Sequence, residues 1–317
     1  MIQLENITKR FNNRAVVQEL TLSCPGGKTT VLVGPSGCGK TTTLEMMNGL
    51  LQPDEGKVIV GDVILTDKNV LEMRRRMGYV IQSAGLFPHY TIFENIAVVP
   101  KMLKWNSHKI QRRVEEMMQL VDLPIERLND YSANLSGGQQ QRVGFARALA
   151  ADPEYLLLDE PFSALDPITK SSLRKQFGEI QQRLGKTVVL VTHDMREALE
   201  LGDRIAVMSE GRMLQNATPQ QLLSESQNDF VEEFIGADKH MRLLQITSIA
   251  ELLKNRKGEP VPSEEGHGSR ISAEDSLYSA MNQLIAQAPL PLVVHHNETD
   301  ISLLKLDDIL HFMRKED

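Results

Sequence analysis

Cysteine is scarce in this chain: Cys24 and Cys38 are the only two among 317 residues. Two cysteines cannot form a disulfide framework, so a reducing compartment is the expected setting. Long apolar runs are missing too. Thr187 to Val191 is typical of the longest, whereas a membrane-spanning helix needs about 20 apolar residues. The opening MIQLENITKRF has no charged head leading into an apolar stretch, so no signal peptide is expected. Positive charge is not in excess either. The formal net charge is −7, which argues against broad nucleic-acid binding. No long internal repeat, no Ser-His-Asp or Cys-His arrangement and no metal-ligand cluster stands out.

What is present suffices for a sizeable core, with 41% hydrophobic residues. The length predicts one large domain and a smaller one. Residues 1–33 read as strands, broken by turn residues Asn12 and Asn13 and by Pro25, Gly26 and Gly27. Thr29 to Val33 is a short buried strand, followed by a Gly-rich loop and a helix from about Lys40 to Leu50. Residues 52–68 read as a further β region, and MGYVI as a strand after the basic run Arg74 to Arg76. That run reads as a solvated helix face. From about 86 to 151 the pattern turns helical, with Val114, Met117, Met118 and Val121 at helical spacing. Then YLLLD, a helix from Ile168 to Leu184, TVVLVTH, a helix and RIAVMS alternate, which predicts a parallel sheet buried on both faces. Residues 254–270 are polar and rich in Gly and Pro and read as a linker. Beyond them a helix is expected at Ala273 to Ala286, a strand at Pro291 to His295 and a helix at Leu306 to Met313.

Three motifs carry chemistry. Gly34, Pro35, Ser36, Gly37, Cys38, Gly39, Lys40 and Thr41 fit GxxxxGK[ST] between a strand and a helix, the context that motif requires. Its glycines let N–H groups point at phosphate oxygens, and the helix aims its positive end at the same charge. Lys40 is expected on the β and γ phosphates, the Thr41 hydroxyl on Mg²⁺ and Thr42 on phosphate. YLLLDE is a buried strand ending in two carboxylates. Asp159 suits Mg²⁺, and Glu160 suits orienting the attacking water. These two motifs define a P-loop nucleotide hydrolase. The third, Leu135-Ser-Gly-Gly-Gln, puts Ser136, Gly137, Gly138 and Gln139 at the start of a long helix. Ser136 is a good N-cap and the glycines leave the backbone open, so this is an anion site with no lysine.

LSGGQ is the signature of the ABC ATPases, and the chain resembles that family over about residues 1–235. The resemblance implies an α/β fold: a RecA-like mixed-sheet core with an antiparallel β subdomain and a helical subdomain at about 86–151. It also implies that two copies meet head to tail. ATP then sits between the phosphate loop of one and the LSGGQ of the other. Phe11 stands where the family stacks an aromatic on adenine, with Val16 near it; the alternative for Phe11 is strand packing. Gln82 resembles the glutamine that links Mg²⁺ and the attacking water to the membrane partner. Ser163 to Asp166 resembles the loop that crosses the dimer, with Asp166 at the nucleotide. His193 resembles the histidine that contacts the γ phosphate.

A single ATPase domain resembles an importer built from separate subunits. GLFPH followed by TIFENIAVVP resembles the quaternary-amine branch, which imports glycine betaine, choline or carnitine as osmoprotectants. An importer for another small solute, or a soluble ABC ATPase outside transport, is the alternative. The branch implies integral-membrane permease subunits docking near Gln82 to Pro100, with Phe87, Pro88 and His89 as contacts. It further implies a solute-binding protein outside the membrane, no nucleic-acid partner, and a peripheral place on its cytoplasmic face. The domains are expected at 1–240 and 241–317. DSLYSAMNQLIAQAPLPLVVHHNETDISLLKLDDIL resembles one reduced CBS module lacking the usual glycines, a small α+β unit suited to dimer contacts.

Overall fold

The computed structural model describes residues 1–82, 85–163, 165–236, 238–254, 269–287, 290–295 and 301–315. Most of the expected linker lies outside them. So do Ser83, Ala84, Ala164 and residues 296–300. The chain forms two compact units, Met1–Asn216 and Ala217–Asp317.

The first unit opens with β1 (Ile2–Phe11), β2 (Arg14–Cys24), β3 (Thr29–Val33), α1 (Lys40–Met47), β4 (Glu55–Val60) and β5 (Val63–Ile64). Next come α2 (Val70–Arg75), β6 (Met77–Val80), α3 (Ile92–Met102), α4 (Ser107–Leu120) and α5 (Gly137–Leu149). It closes with β7 (Tyr155–Asp159), α6 (Pro167–Leu184), β8 (Thr187–Thr192), α7 (Met195–Leu201), β9 (Arg204–Ser209) and β10 (Arg212–Ala217). One sheet has the order β2-β1-β4-β5, with antiparallel pairing of β1 to β2 and of β1 to β4. The other has the order β10-β9-β3-β8-β7-β6, and β9, β3, β8, β7 and β6 run parallel. Every residue of β3, β7 and β8 is buried, as continuous apolar runs between two helix layers should be.

Helix starts are written in the sequence. Thr91 and Glu94 close a capping box on α3, and Asn106 caps α4. Asp166 caps α6 with Pro167 in its first turn, and Gly185 ends that helix in the left-handed conformation. Arg74 departs from the expected solvated face. Its guanidinium donates to the carbonyls of Asn48 and Gly49 at 3.0 and 2.6 Å, satisfying the C-terminal end of α1. Arg76 pairs with Glu154 at 2.6 Å.

The second unit contains α8 (Pro219–Ser224), α9 (Asp229–Ile235), α10 (Lys239–Ile246), α11 (Ile249–Lys254), β11 (Arg270–Ser272) and α12 (Leu277–Gln287). β12 (Leu292–His295), β13 (Ile301–Leu304) and α13 (Leu306–Lys315) complete it. Its sheet, β11-β12-β13, is parallel on one side and antiparallel on the other. Leu244, Ile249, Leu277, Leu284, Leu292, Leu304 and Ile309 form its core. α12 starts four residues after the expected Ala273. The Ala273 N–H donates to the His295 carbonyl at 3.0 Å, and residues 273–275 form a turn in which the Asp275 N–H donates to the Ser272 carbonyl at 3.1 Å. The Ser276 hydroxyl then accepts from the Ser279 N–H.

Candidate functional site

β3, β8 and β7 are neighbours, and their C-terminal ends lie side by side: Val33 pairs with Thr192 and Asp159 with Val191. The next residues are Gly34, His193 and Glu160. Ligands bind at such strand ends in parallel sheets.

The phosphate loop leaves β3 under tight steric control. A Cβ on Gly34 would sit 2.0 Å from the Met208 carbonyl oxygen. Gly39 has φ +103°, and a Cβ there would meet the Val16 carbonyl oxygen at 2.7 Å. Pro35, Ser36 and Gly37 form the exposed rim, with Cys38 buried behind them. Burial raises the Cys38 thiol above its ordinary pKa, against the lowering pull of Lys40. Lys40 is 5% exposed, and its ammonium donates to the carbonyls of Gly34 and Pro35 at 2.8 and 2.9 Å. A compact cation is thereby held across the loop. Thr41 and half-buried Thr42 follow in the first turn of α1.

Thr41 reaches β7: its hydroxyl donates to Asp159 Oδ1 at 3.0 Å. Asp159 is 8% exposed. Burial raises its carboxyl pKa, the Thr41 bond opposes this, Glu160 adds to it and Lys40 works against it. A hydroxyl and a carboxylate side by side are hard oxygen donors of the kind that suit Mg²⁺. Among the described residues, no group of three His, Cys, Asp or Glu side chains could hold a metal alone. Any ion here would complete its shell from phosphate or water.

Glu160 has φ +41°, a strained value for a side chain of this kind. Its N–H donates to the Val191 carbonyl at 2.9 Å, which turns the side chain out of the sheet. Its Oε2 accepts from Gln82 Nε2 at 3.2 Å and lies 3.1 Å from His193 Nδ1. Three residues from three strand ends therefore meet on one carboxylate oxygen.

Phe11 is 44% exposed at the end of β1, with the Lys9 ammonium 5.6 Å from its ring centre. Val16 is half-buried, and its carbonyl backs onto Gly39 and Gly211. The Gly211 N–H donates to the Cys38 carbonyl at 3.1 Å, and its own carbonyl accepts from Gln18 at 2.8 Å. This turn clamps the phosphate loop to β2. Glu210-Gly211 is a readable turn signal, but nothing in the sequence points it at this loop.

Ser136, Gly137, Gly138 and Gln139 lie apart from these groups. Ser136 and Gln139 close a reciprocal capping box on α5, and Ser136 and Gly137 are exposed. A Cβ on Gly138 would lie 2.6 Å from Thr169 Cγ2, and one on Gly137 would lie 3.7 Å from Leu165. This turn therefore packs on the start of α6. Among the described residues, no hydrogen bond joins it to residues 34–42. Asp166 is exposed and caps α6, and its carboxyl is held below the ordinary range by the Thr169 bonds.

Phe87, Pro88 and His89 cluster at the entrance to α3. The Phe87 ring lies 6.3 Å from His89 and 5.1 Å from Tyr90, centre to centre. Fully buried Asn95 builds this loop, accepting from the Phe87 N–H at 2.9 Å and donating to the Phe87 carbonyl at 3.1 Å. Sequence reasoning missed Asn95, because one amide inside an apolar helix pattern carries no signal of its target.

A phosphate cradle, a hydroxyl–carboxylate pair and a second, separate glycine turn on a helical subdomain define an ATPase of the ABC class. The ABC transporter family profile matches residues 17–163. Carnitine transport ATP-binding protein OpuCA of Listeria monocytogenes is 48% identical over 283 residues, 89% of this chain and 68% of that protein. Glycine betaine uptake system ATP-binding protein YehX of Escherichia coli is 42% identical over 296 residues, 92% of this chain and 94% of that one. A dimeric ATP-binding cassette solved in a post-hydrolysis state with ADP and Pi is 32% identical, with TM-score 0.62, and spans 69% of this chain and 99% of its own. The chain belongs to the osmoprotectant-importer family of ABC transporter ATP-binding subunits. Among the described residues, no helix is long and apolar enough to cross a membrane.

Proposed function

We propose that this ATPase powers uptake of a quaternary amine of the glycine betaine, choline or carnitine type through separate permease subunits. The named relatives support the solute class. The meeting of Gln82 and His193 on Glu160 Oε2, beside the Thr41–Asp159 pair, carries the chemical reading. Lys40 and the N–H groups of residues 34–42 bind the phosphates. Thr41, Asp159 and Gln82 would hold Mg²⁺, which supplies charge neutralisation at the phosphates. Glu160 orients water for in-line attack on the γ phosphate, and His193 fixes Glu160 and contacts that phosphate. Positioning and charge stabilisation do most of the catalytic work.

Phe11 and Val16 receive the adenine. Ser136 to Gln139 and Asp166 complete the site of a second copy, which fits their exposure and their separation from the phosphate loop. The Phe87 to His89 cluster receives the permease, and the chain sits peripherally on the cytoplasmic face of the membrane. A solute-binding protein outside the membrane delivers the solute. The ATPase domain is read as 1–240, and 241–317 as a reduced CBS-like domain used for dimer contacts.

Glu160→Gln tests the chemistry. Hydrolysis should fall at least about a hundredfold while ATP binding persists and a closed dimer accumulates. Wild-type turnover by this variant would remove Glu160 from its role. Uptake of labelled glycine betaine, choline and a sugar by vesicles holding the chain with its permease tests the solute. Uptake of the sugar alone would overturn that assignment.

A further inference from the structure

A half-buried charged cluster beside the site takes no part in the chemistry proposed above. Lys170, 19% exposed, lies in the second turn of α6. Its Nζ is 2.9 Å from Asp194 Oδ2 and 2.8 Å from Glu197 Oε1. Glu197 is 2% exposed, and its Oε2 accepts from the Thr192 hydroxyl at 2.5 Å. The same hydroxyl accepts from the Asp194 N–H at 3.0 Å. Asp194 Oδ1 meanwhile caps α7, accepting from the Arg196 N–H at 2.8 Å. The residues on both sides of His193 are thus fastened through carboxylates to one lysine of α6. One turn further on, Arg174 meets Glu200 at 3.1 Å across the same helix pair.

The cluster closes a ring around the site. The Glu160 carbonyl accepts from the Ser163 N–H at 3.2 Å and from its hydroxyl at 3.0 Å. The chain then passes to Asp166, whose carbonyl accepts from the Lys170 N–H at 2.9 Å. Lys170 grips Asp194, and His193 returns to Glu160. A buried ion pair is a weak source of stability, since apolar side chains of the same volume hold two helices as well. What it adds over apolar packing is direction: two carboxylate oxygens, Asp194 Oδ2 and Glu197 Oε1, are held at fixed points.

We propose that Lys170 is a positioning residue for ATP hydrolysis. It ties the start of α6, opened by Asp166, to the loop that carries His193. A displacement of the Asp166 turn by a second copy is thereby passed to His193 and its distance from Glu160. This rests on the reading of His193 and Glu160 given above.

The test uses the purified full-length chain and compares Lys170→Met/Glu197→Gln, Lys170→Arg, Lys170→Gln and His193→Ala. The double variant removes the cation together with the buried charge of Glu197 and leaves only the partly exposed Asp194 carboxylate without its partner. Its kcat should fall at least about tenfold, with KM for ATP within about threefold of wild type and an unchanged melting temperature. Lys170→Arg should recover kcat to within about threefold, since a guanidinium can still bridge both carboxylates. A double variant with wild-type kcat overturns the inference. So does a loss in which KM and melting temperature shift together, which marks packing alone. If the double variant does not fold, Lys170→Gln is read by the same split of kcat from KM. His193→Ala with full activity would sink the underlying reading of the histidine. An inactive His193→Ala beside a fully active Lys170 variant would sink only the inference about Lys170.

Discussion

The two glycine turns are built in opposite ways. Gly34 to Thr41 is locked from every side: Met208 and Val16 carbonyls against its glycines, Gly211 on its back, Lys40 across its mouth and Thr41 on Asp159. Ser136 to Gln139 is held by its own capping box and by Leu165 and Thr169 beneath it, and it faces outward. The first is a pocket the chain completes for itself. The second is a donor surface with no phosphate-binding lysine. A helix N-terminus with free N–H groups is a ready anion site, but here the anion must be brought to it. One chain therefore carries two unlike halves, and the difference is what a head-to-tail pair would use.

Lys40→Ala attacks the built half and should have the largest effect. Its ammonium bridges the Gly34 and Pro35 carbonyls at the mouth of the loop. Its loss should cut both ATP affinity and turnover, with kcat/KM down at least about a thousandfold. Steady-state hydrolysis and nucleotide titration would measure it. A fall of less than about tenfold would mean that the N–H groups alone hold the phosphates.

The outward half breaks differently. Ser136→Arg should leave nucleotide binding within a few fold of wild type but cut hydrolysis about a hundredfold, because the damage lies on the neighbour's phosphate. Mixing this variant with Lys40→Ala sharpens the comparison. In a head-to-tail pair, one of the two sites of each mixed dimer regains both intact halves. Random pairing then predicts recovery of about a quarter of wild-type activity. No recovery on mixing would count against shared sites.

Legibility in the sequence follows the same divide. The phosphate loop, YLLLDE and the helix caps can be read because their function is local: φ, spacing and strand–loop–helix order suffice. The LSGGQ turn is legible through family resemblance, since a capped helix with two glycines has an ordinary structural use. Long-range partners are not legible. Asn95 under Phe87, Gly211 behind Cys38 and Lys170 on Asp194 each act across contacts that no short motif records. Arg74 misleads for the same reason: a basic run looks solvated until the fold packs the end of α1 against it. The second unit is legible as helices and strands, but the start of α12 slips because a turn at 273–275, tied to β12 through the Ala273 N–H, comes before the Ser276 cap.

Phe11 gives the smallest expected effect and tests the rim between the two halves. The ring is exposed and has Lys9 beside it, so truncation costs little in the fold itself. If the ring stacks on adenine, Phe11→Ala should raise KM for ATP about five- to tenfold, which matches a base–aromatic stack of about 1–1.5 kcal/mol. Turnover at saturating ATP should stay within about twofold, because stacking is equally strong before and during attack on the γ phosphate. Phe11→Tyr should keep the wild-type KM, since the ring face is retained. A Phe11→Ala chain with unchanged KM would return the residue to strand packing, and would place adenine recognition on Val16 and the backbone around it.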